Sequence, residues 1–353
     1  MTIVSGLPHS SRPLASRSGS SRMNHRSVAV DRLASPRPRL FEAVVWLLPA
    51  VAYFVFPDNL ALGVSIMTYA VAVLALDLVL GYAGIVSLGH AAFFGIGAYA
   101  AGLLAANGWR EPLTGLLLAG AASLVVGFFA SFLVVRGKDL TRLMVTLGIG
   151  LVVYELANRL SSITGGMDGL SGFEVSPIFG VFAFDLYGKT AWWYVYGVSL
   201  VVFIFLRFVV SSPFGLSLRA IREGVNRMPA LGASVNSRLR IAFTISAGVA
   251  GIAGGLLAQT TQFVGIDSLS VPRAAEFLVM LVLGGTGRLY GALAGTAIFM
   301  IAHDYLADID PVYWEFWMGL LLMAVVLFAR GGIVGALFNL VPSLKARFGR
   351  AAQ

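Results

Sequence analysis

SPFGLSLRAIREGVNRMPALGASVNSRL, residues 212–239, is a polar, arginine-rich island between two long apolar segments. Arg219, Arg222, Arg227, Arg238 and Arg240 lie in or beside it, and Glu223 is its only acid. A loop this basic between membrane spans is expected to face the cytoplasm. Pro213 suits the first position of a helix, where its missing N–H would have no partner anyway. Leu216, Leu218, Ala220 and Ile221 offer that helix an apolar side. The stretch predicts a short amphipathic helix that lies on lipid headgroups or docks into a partner. Its plain alternative is a solvated loop that only sets topology.

The flanking sequence makes the island a loop of a membrane protein. The 353 residues are 58% hydrophobic and 12% charged, with a mean hydropathy of +0.84. A soluble domain carries about 25% charged residues. Apolar runs near membrane length, rich in Leu, Ala, Val and Gly, argue for helices and against a barrel of alternating strands. The 41 glycines suit close helix packing and broken helices in lipid. With no cysteine, disulfides and thiolate metal sites are excluded. The net charge of +8 does not indicate a nucleic-acid partner, because the positive residues sit mostly at the ends of apolar runs.

The expected fold is all-α and polytopic, with about ten membrane passes and two glycine-rich broken or re-entrant segments. Residues 1–40 read as a disordered cytoplasmic tail, rich in Ser and Arg with Asp31 the sole acid. Residues 41–340 form the membrane body, and 341–353 a short basic tail. The passes fall near 41–56, 60–80, 91–106, 113–135, 143–160, 191–210, 239–258, 275–287, 292–306 and 314–329. With both termini inside, all Lys and Arg except Arg110, Arg159, Lys189 and Arg273 fall on the cytoplasmic side. The two breaks are GYAGIVSLGH (81–90) and GGTGRLYG (284–291). Broken helices free backbone N–H and C=O groups, which a membrane tolerates only inside protein or beside a water-filled path. Gly81, Gly84, Ser87, Gly89, His90, Gly284, Gly285 and Gly287 are therefore candidates for a solute path; small-residue packing is the alternative.

Other candidates are weaker. Asp77, Ser87 and His90 offer an acid, a nucleophile and a base at membrane depth, hence a reading as an intramembrane enzyme. Packing of a hydrogen-bonded His90 is the plainer one. Glu155 and Arg159 have i,i+4 spacing and predict a local ion pair. Gly188-Lys189-Thr190 imitates the end of a phosphate-binding loop, but Ala183 stands where that loop needs glycine. No His, Asp and Glu cluster has a metal-ligand spacing.

Four motifs in order carry a resemblance: GYAGIVSLGHAAFFGIGAYAAG (81–102), TGGMDGL (164–170), SPFGLSLRAIRE (212–223) followed by ALG (230–232), and LVLGGTGRLYGALAG (281–295). Together they resemble the LivM-type permeases of branched-chain amino acid ABC importers, over roughly residues 41–340. The resemblance implies a permease subunit of the bacterial inner membrane. It would pair with a second, related permease and two cytoplasmic ATPases, and a periplasmic binding protein would deliver its solute. This chain would bind no cofactor, and ATP and Mg would belong to the ATPases. Residues 212–238 would be the coupling segment, with Arg219, Ala220, Arg222 and Glu223 in the helix nearest the ATPase and Ala230, Leu231 and Gly232 as its ALG. The sequence departs from the family at Asn226-Arg227-Met228-Pro229, where an alanine-rich stretch is usual. Pro229 predicts that the segment is two short helices. Asp77 stands where asparagine is frequent. Similar permeases serve urea, short amides and other neutral solutes, so the resemblance leaves the solute open.

Overall fold

The computed structural model describes residues 40–320 and 323, apart from 138, 179, 181, 186, 187, 230, 231 and 315. The expected terminal tails, Ala230, Leu231 and most of the last expected pass lie outside the described residues. Among the described residues the longer helices follow in order: α1 (Leu40–Val55), α2 (Leu60–Asp77), α3 (His90–Ala106), α4 (Pro112–Arg136), α5 (Asp139–Arg159), α6 (Lys189–Ser211), α7 (Pro213–Glu223), α8 (Val235–Thr261), α9 (Val271–Gly284) and α10 (Leu289–Ile309), with a single helical turn, Ser161–Thr164, after α5. Among the described residues there is no strand, only two isolated antiparallel bridges, Leu170–Val264 and Ile178–Phe182. The protein is all-α and crosses the membrane several times. Among the described residues six segments are long and apolar enough to span: Pro57–Tyr82, Pro112–Arg136, Leu140–Arg159, Lys189–Ser211, Val235–Thr261 and Leu289–Ile309. Trp46–Val55 and His90–Ala106 are shorter apolar helices. The expected passes near 41–56, 91–106 and 275–287 thus coincide with helices shorter than a full span.

Helix α2 is the central stave. Every residue from Val71 to Val79 is at most 1% exposed. It packs against α6, α8, α9 and α10, so it is apolar all round rather than amphipathic. Helix α8 packs most extensively, against α4 and α3. Small residues permit this: a Cβ added to Gly254 would collide with the Phe94 carbonyl oxygen of α3. In lipid, such close backbone approach replaces the expulsion of water as the cause of helix association. The outer surface is equally apolar. Leu140, Met144, Leu151, Val152 and Leu156 of α5 are 47–74% exposed, as suits a helix facing hydrocarbon.

Contacts define the two ends of the bundle. At one end the Gly81–Gly89 break, α7 and the Gly285–Arg288 turn meet, together with Arg207, Arg219, Arg222 and Arg288. At the other, Arg110 pairs with Glu174 at 3.4 Å, and Leu170 and Val264 exchange backbone hydrogen bonds at 2.9 Å. Gln259 Nε2 donates to the Pro112 carbonyl at 2.7 Å. The expected Glu155–Arg159 pair is present at 2.7 Å, exposed on α5.

Candidate functional site

Among the described residues the basic island folds as α7 followed by a short 3-10 helix, Val225–Arg227. Pro213 is at the helix start, and Ser212 caps it by accepting from the Gly215 N–H at 3.4 Å. Leu218 and Ile221 are buried beside Gly215 and Ser217, whereas Leu216 is 40% exposed. The apolar side is therefore narrower than the expected Leu216, Leu218, Ala220 and Ile221. Three-residue spacing puts Leu218 and Ile221 on one face, and that face rests on the bundle. Arg219, Arg222 and Glu223 are exposed, and Ala220 is half-buried. Gly232 is exposed with a left-handed φ of +75°.

Underneath α7, the two glycine breaks meet each other. The first is a π-turn, Leu78–Tyr82, that ends α2; such widened turns leave carbonyls free for other partners. The Gly81 carbonyl accepts from Arg222 Nη1. The Arg219 guanidinium lies 5.0 Å from the centre of the Tyr82 ring, within cation–π range. From the second break, the Gly287 N–H donates to Asp77 Oδ1 at 2.7 Å. Gly287 has φ +78°, and a Cβ there would stand 3.0 Å from Arg222 Nη1 and 3.1 Å from the Gly81 oxygen. Only glycine meets both the left-handed backbone and that space. Asp77 itself is fully buried on α2, and its Oδ2 has no hydrogen-bond partner among the described residues. A cavity of about 330 Å³ adjoins the cluster, lined by Tyr82, Arg207, Arg219, Arg288 and Tyr290 among others.

The remaining candidates sit deeper. Ser87 and His90 are each 1% exposed. His90 Nδ1 is 2.9 Å from Ser87 Oγ, and Nε2 is 2.8 Å from Ser246 Oγ. Ser246 Oγ in turn donates to the Ala75 carbonyl. This chain of polar groups joins α3, α8 and α2, and the rings of Phe93 and Phe243 stand edge-on to the imidazole. No hydrogen bond among the described residues links Asp77 to His90 or Ser87, so acid, base and nucleophile are not assembled as a triad. Gly89 packs on the Thr146 carbonyl of α5, and Gly84, at φ +74°, lies against the Arg222 side chain. Gly284 packs on Gly291 and Gly295 of α10, and Gly285 ends α9 with φ +103°.

The Asp77–Gly287 contact was not visible in the sequence, since the partners are 210 residues apart. The only trace was the occurrence of GYAG and GGTG at corresponding places in the two halves. The half-buried Arg273–Glu276 pair at the other end, 2.6 Å apart, was also missed. Its signal was present: two opposite charges three residues apart at the mouth of an apolar helix.

Comparison with known proteins agrees with this architecture. Residues 60–338 match the model of the family described as "Branched-chain amino acid transport system / permease component". The chain belongs to this family. The high-affinity branched-chain amino acid transport permease LivM of Salmonella typhimurium (strain LT2) is 27% identical over 345 residues, 92% of this chain and 80% of the relative. LivM of Escherichia coli K12 is 27% identical over 328 residues, 87% of this chain and 77% of the relative. The high-affinity branched-chain amino acid transport permease LivH of Escherichia coli K12 is 25% identical over 304 residues, 80% of this chain and 96% of the relative. No solved structure matches. Membership makes the protein a transporter subunit rather than an enzyme.

Proposed function

We propose that this chain is one permease subunit of an ATP-driven importer of branched-chain or related amino acids. It works in the bacterial inner membrane with both termini in the cytoplasm. The basic end then faces the cytoplasm, in keeping with the positive-inside rule. A second related permease completes the membrane pathway. A periplasmic binding protein delivers the solute, and two cytoplasmic ATPases bind ATP and Mg. Residues 212–238 seat on one ATPase through Arg219, Ala220, Arg222, Glu223, Ala230, Leu231 and Gly232.

The observation that carries this reading is the contact of α7 with both glycine breaks. Arg222 holds the Gly81 carbonyl, and Gly81 neighbours the Gly287 turn that Asp77 holds. A push on α7 therefore reaches the end of α2 and the start of α10 without an intervening loop. Packed helices shift as rigid bodies between discrete arrangements rather than deforming continuously. Closing ATPases that displace α7 thus re-pack α2 against α10 and change access from one membrane face to the other.

Purification from the native membrane in mild detergent tests the assembly. Two ATPases and a second permease are expected to come down with the chain; recovery of the chain alone, active without ATP, overturns the reading. Substitution tests the seat. Arg222→Glu and Gly232→Glu are expected to abolish uptake and its coupling to ATP hydrolysis while the protein still inserts. Normal uptake in both variants removes α7 and its following turn from the coupling role.

A further inference from the structure

At the end of the bundle opposite α7 lies a second polar site. A cleft of about 460 Å³ is lined by Leu151 and Tyr154 of α5, by Asp267 and Ser270 of the preceding turn, and by Arg273 and Glu276 of α9. The volume is that of a small-molecule pocket.

Its charges stand at the start of a short helix. Helix α9 has 14 residues, a length of about 21 Å, against about 30 Å for the hydrocarbon layer. It ends at Gly284, in the break beside Asp77. The Arg273 guanidinium lies 5.3 Å from the centre of the Tyr69 ring of α2. Charge held against the helices of a membrane bundle is costly and marks solute or ion pathways by default.

The groups are arranged for a ligand with two opposite charges. Arg273 Nη1 meets Glu276 Oε2 at 2.6 Å, and both side chains keep about a quarter of their surface exposed. A guanidinium has five N–H donors in a planar fork, matched to a carboxylate. Nη1 of that fork is taken by Glu276, and the other N–H groups of Arg273 remain for such a partner. Glu276 and Asp267 supply two carboxyl groups for an ammonium. Leu151, Val271 and Pro272 add apolar surface. Tyr99 of α3 is 6% exposed. Its hydroxyl has no hydrogen-bond partner among the described residues.

We infer that this cleft binds the backbone end of a zwitterionic amino acid, with the α-carboxylate on Arg273 and the α-ammonium between Glu276 and Asp267. The inference rests on the reading of the chain as an amino-acid permease subunit and assigns that reading a solute contact of its own, apart from the binding protein. A zwitterion adds no net charge to the membrane interior, and each of its charges meets a fixed opposite one. A simple carboxylate faces two acids as well as the arginine. A simple amine leaves the arginine fork unused.

The test is titration of the purified complex of this chain with its native partner subunits, without the binding protein. The probes are L-leucine, 4-methylpentanoate, which lacks the amine, and 3-methylbutylamine, which lacks the carboxylate. Leucine is expected to bind at least tenfold tighter than either analogue. Arg273→Gln and Glu276→Gln are expected to weaken leucine binding at least tenfold, and Arg273→Lys to weaken it less. Arg159→Ala, on an exposed pair of α5 away from the cleft, is the control and is expected to bind leucine as the wild type does. Asp267→Asn, on an exposed turn outside the helix, gives a variant independent of the folding of α9 and is also expected to weaken binding. Leucine affinity unaltered by the substitutions in the cleft overturns the site, as does a wild-type complex that binds no amino acid, or one that binds the amine as tightly as leucine. Failure of the importer reading shows separately, as a chain that purifies without ATPases. The same titration of that chain then decides the cleft alone.

Discussion

Replacing Asp77 separates the bond to the second glycine break from the charge that makes it. Asp77 Oδ1 takes the Gly287 N–H at 2.7 Å in a fully buried place. Asp77→Ala removes the acceptor and leaves a backbone donor without a partner. That loss costs about 1–3 kcal/mol in the arrangement seen here. In a permease that alternates between two packings, the same energy shifts their ratio by a factor of about 5–150. Asp77→Asn keeps an acceptor oxygen at nearly the same position and gives up the charge. Its cost is no more than about 1 kcal/mol, the worth of one neutral hydrogen bond. The assay is leucine uptake and ATP hydrolysis by the whole complex in proteoliposomes, with the binding protein present. Asp77→Ala is expected to uncouple hydrolysis from uptake, and Asp77→Asn to transport within a few-fold of the wild type. Equal damage from both would show that the charge, not the bond, matters. Equal health in both would show that the breaks need not be joined.

The other expectations concern packing and polar contacts in the same body. Gly254→Val places a Cβ on the Phe94 carbonyl and forces α3 from α8; a cost of about 1–3 kcal/mol is expected, read as a lower thermal midpoint of the detergent-solubilised complex. Ser246→Ala takes the partner from His90 Nε2. It should cost about 1–3 kcal/mol of stability, again read as a lower midpoint, while the protein that remains folded still transports; complete loss of uptake with an unchanged midpoint would return His90 to a direct role. Arg159→Ala breaks an exposed pair on α5 and should leave both midpoint and uptake unchanged.

Much of the fold was legible because lipid restricts the choices. Once the apolar runs are too many for a water-soluble core, helices are the solution their composition allows, and the starts of α4 at Pro112 and α7 at Pro213 follow from local rules. Length was less legible than place. The run that continues past Arg142 toward the basic loop is helical from Asp139, since a helix entering water keeps its hydrogen bonds as readily as a loop does. The apolar side of α7 was overestimated for a similar reason: spacing places Leu218 and Ile221 together, but exposure of Leu216 depends on how α7 sits on the bundle. Contacts between distant segments had no local signature. GYAG and GGTG look like packing glycines or like path-lining ones. What the sequence could not give is that Arg222 and Asp77 take the Gly81 carbonyl and the Gly287 N–H.

The two polar sites are joined by the same two helices. Helix α2 carries Tyr69 beneath Arg273 and, eight residues on, Asp77 at the Gly287 turn, a separation of about 12 Å along a straight helix. Helix α9 starts with Arg273 and Glu276 and ends at Gly284, packed on α10. A shift of α9 along α2 therefore changes the Arg273–Tyr69 contact and the Asp77–Gly287 bond together. Binding free energies at two such sites are reciprocal. If α7 seats on an ATPase as proposed, an occupied cleft that favours one packing of α9 on α2 alters the affinity of α7 for that ATPase, and the ATPase alters the cleft by the same factor. Leucine titrations of the complex with and without a non-hydrolysable nucleotide measure that factor. Asp77→Ala, which cuts one of the two links, should bring it toward one while Asp77→Asn preserves it. A factor that is unity in the wild type, or that survives Asp77→Ala intact, would show that the two ends move independently.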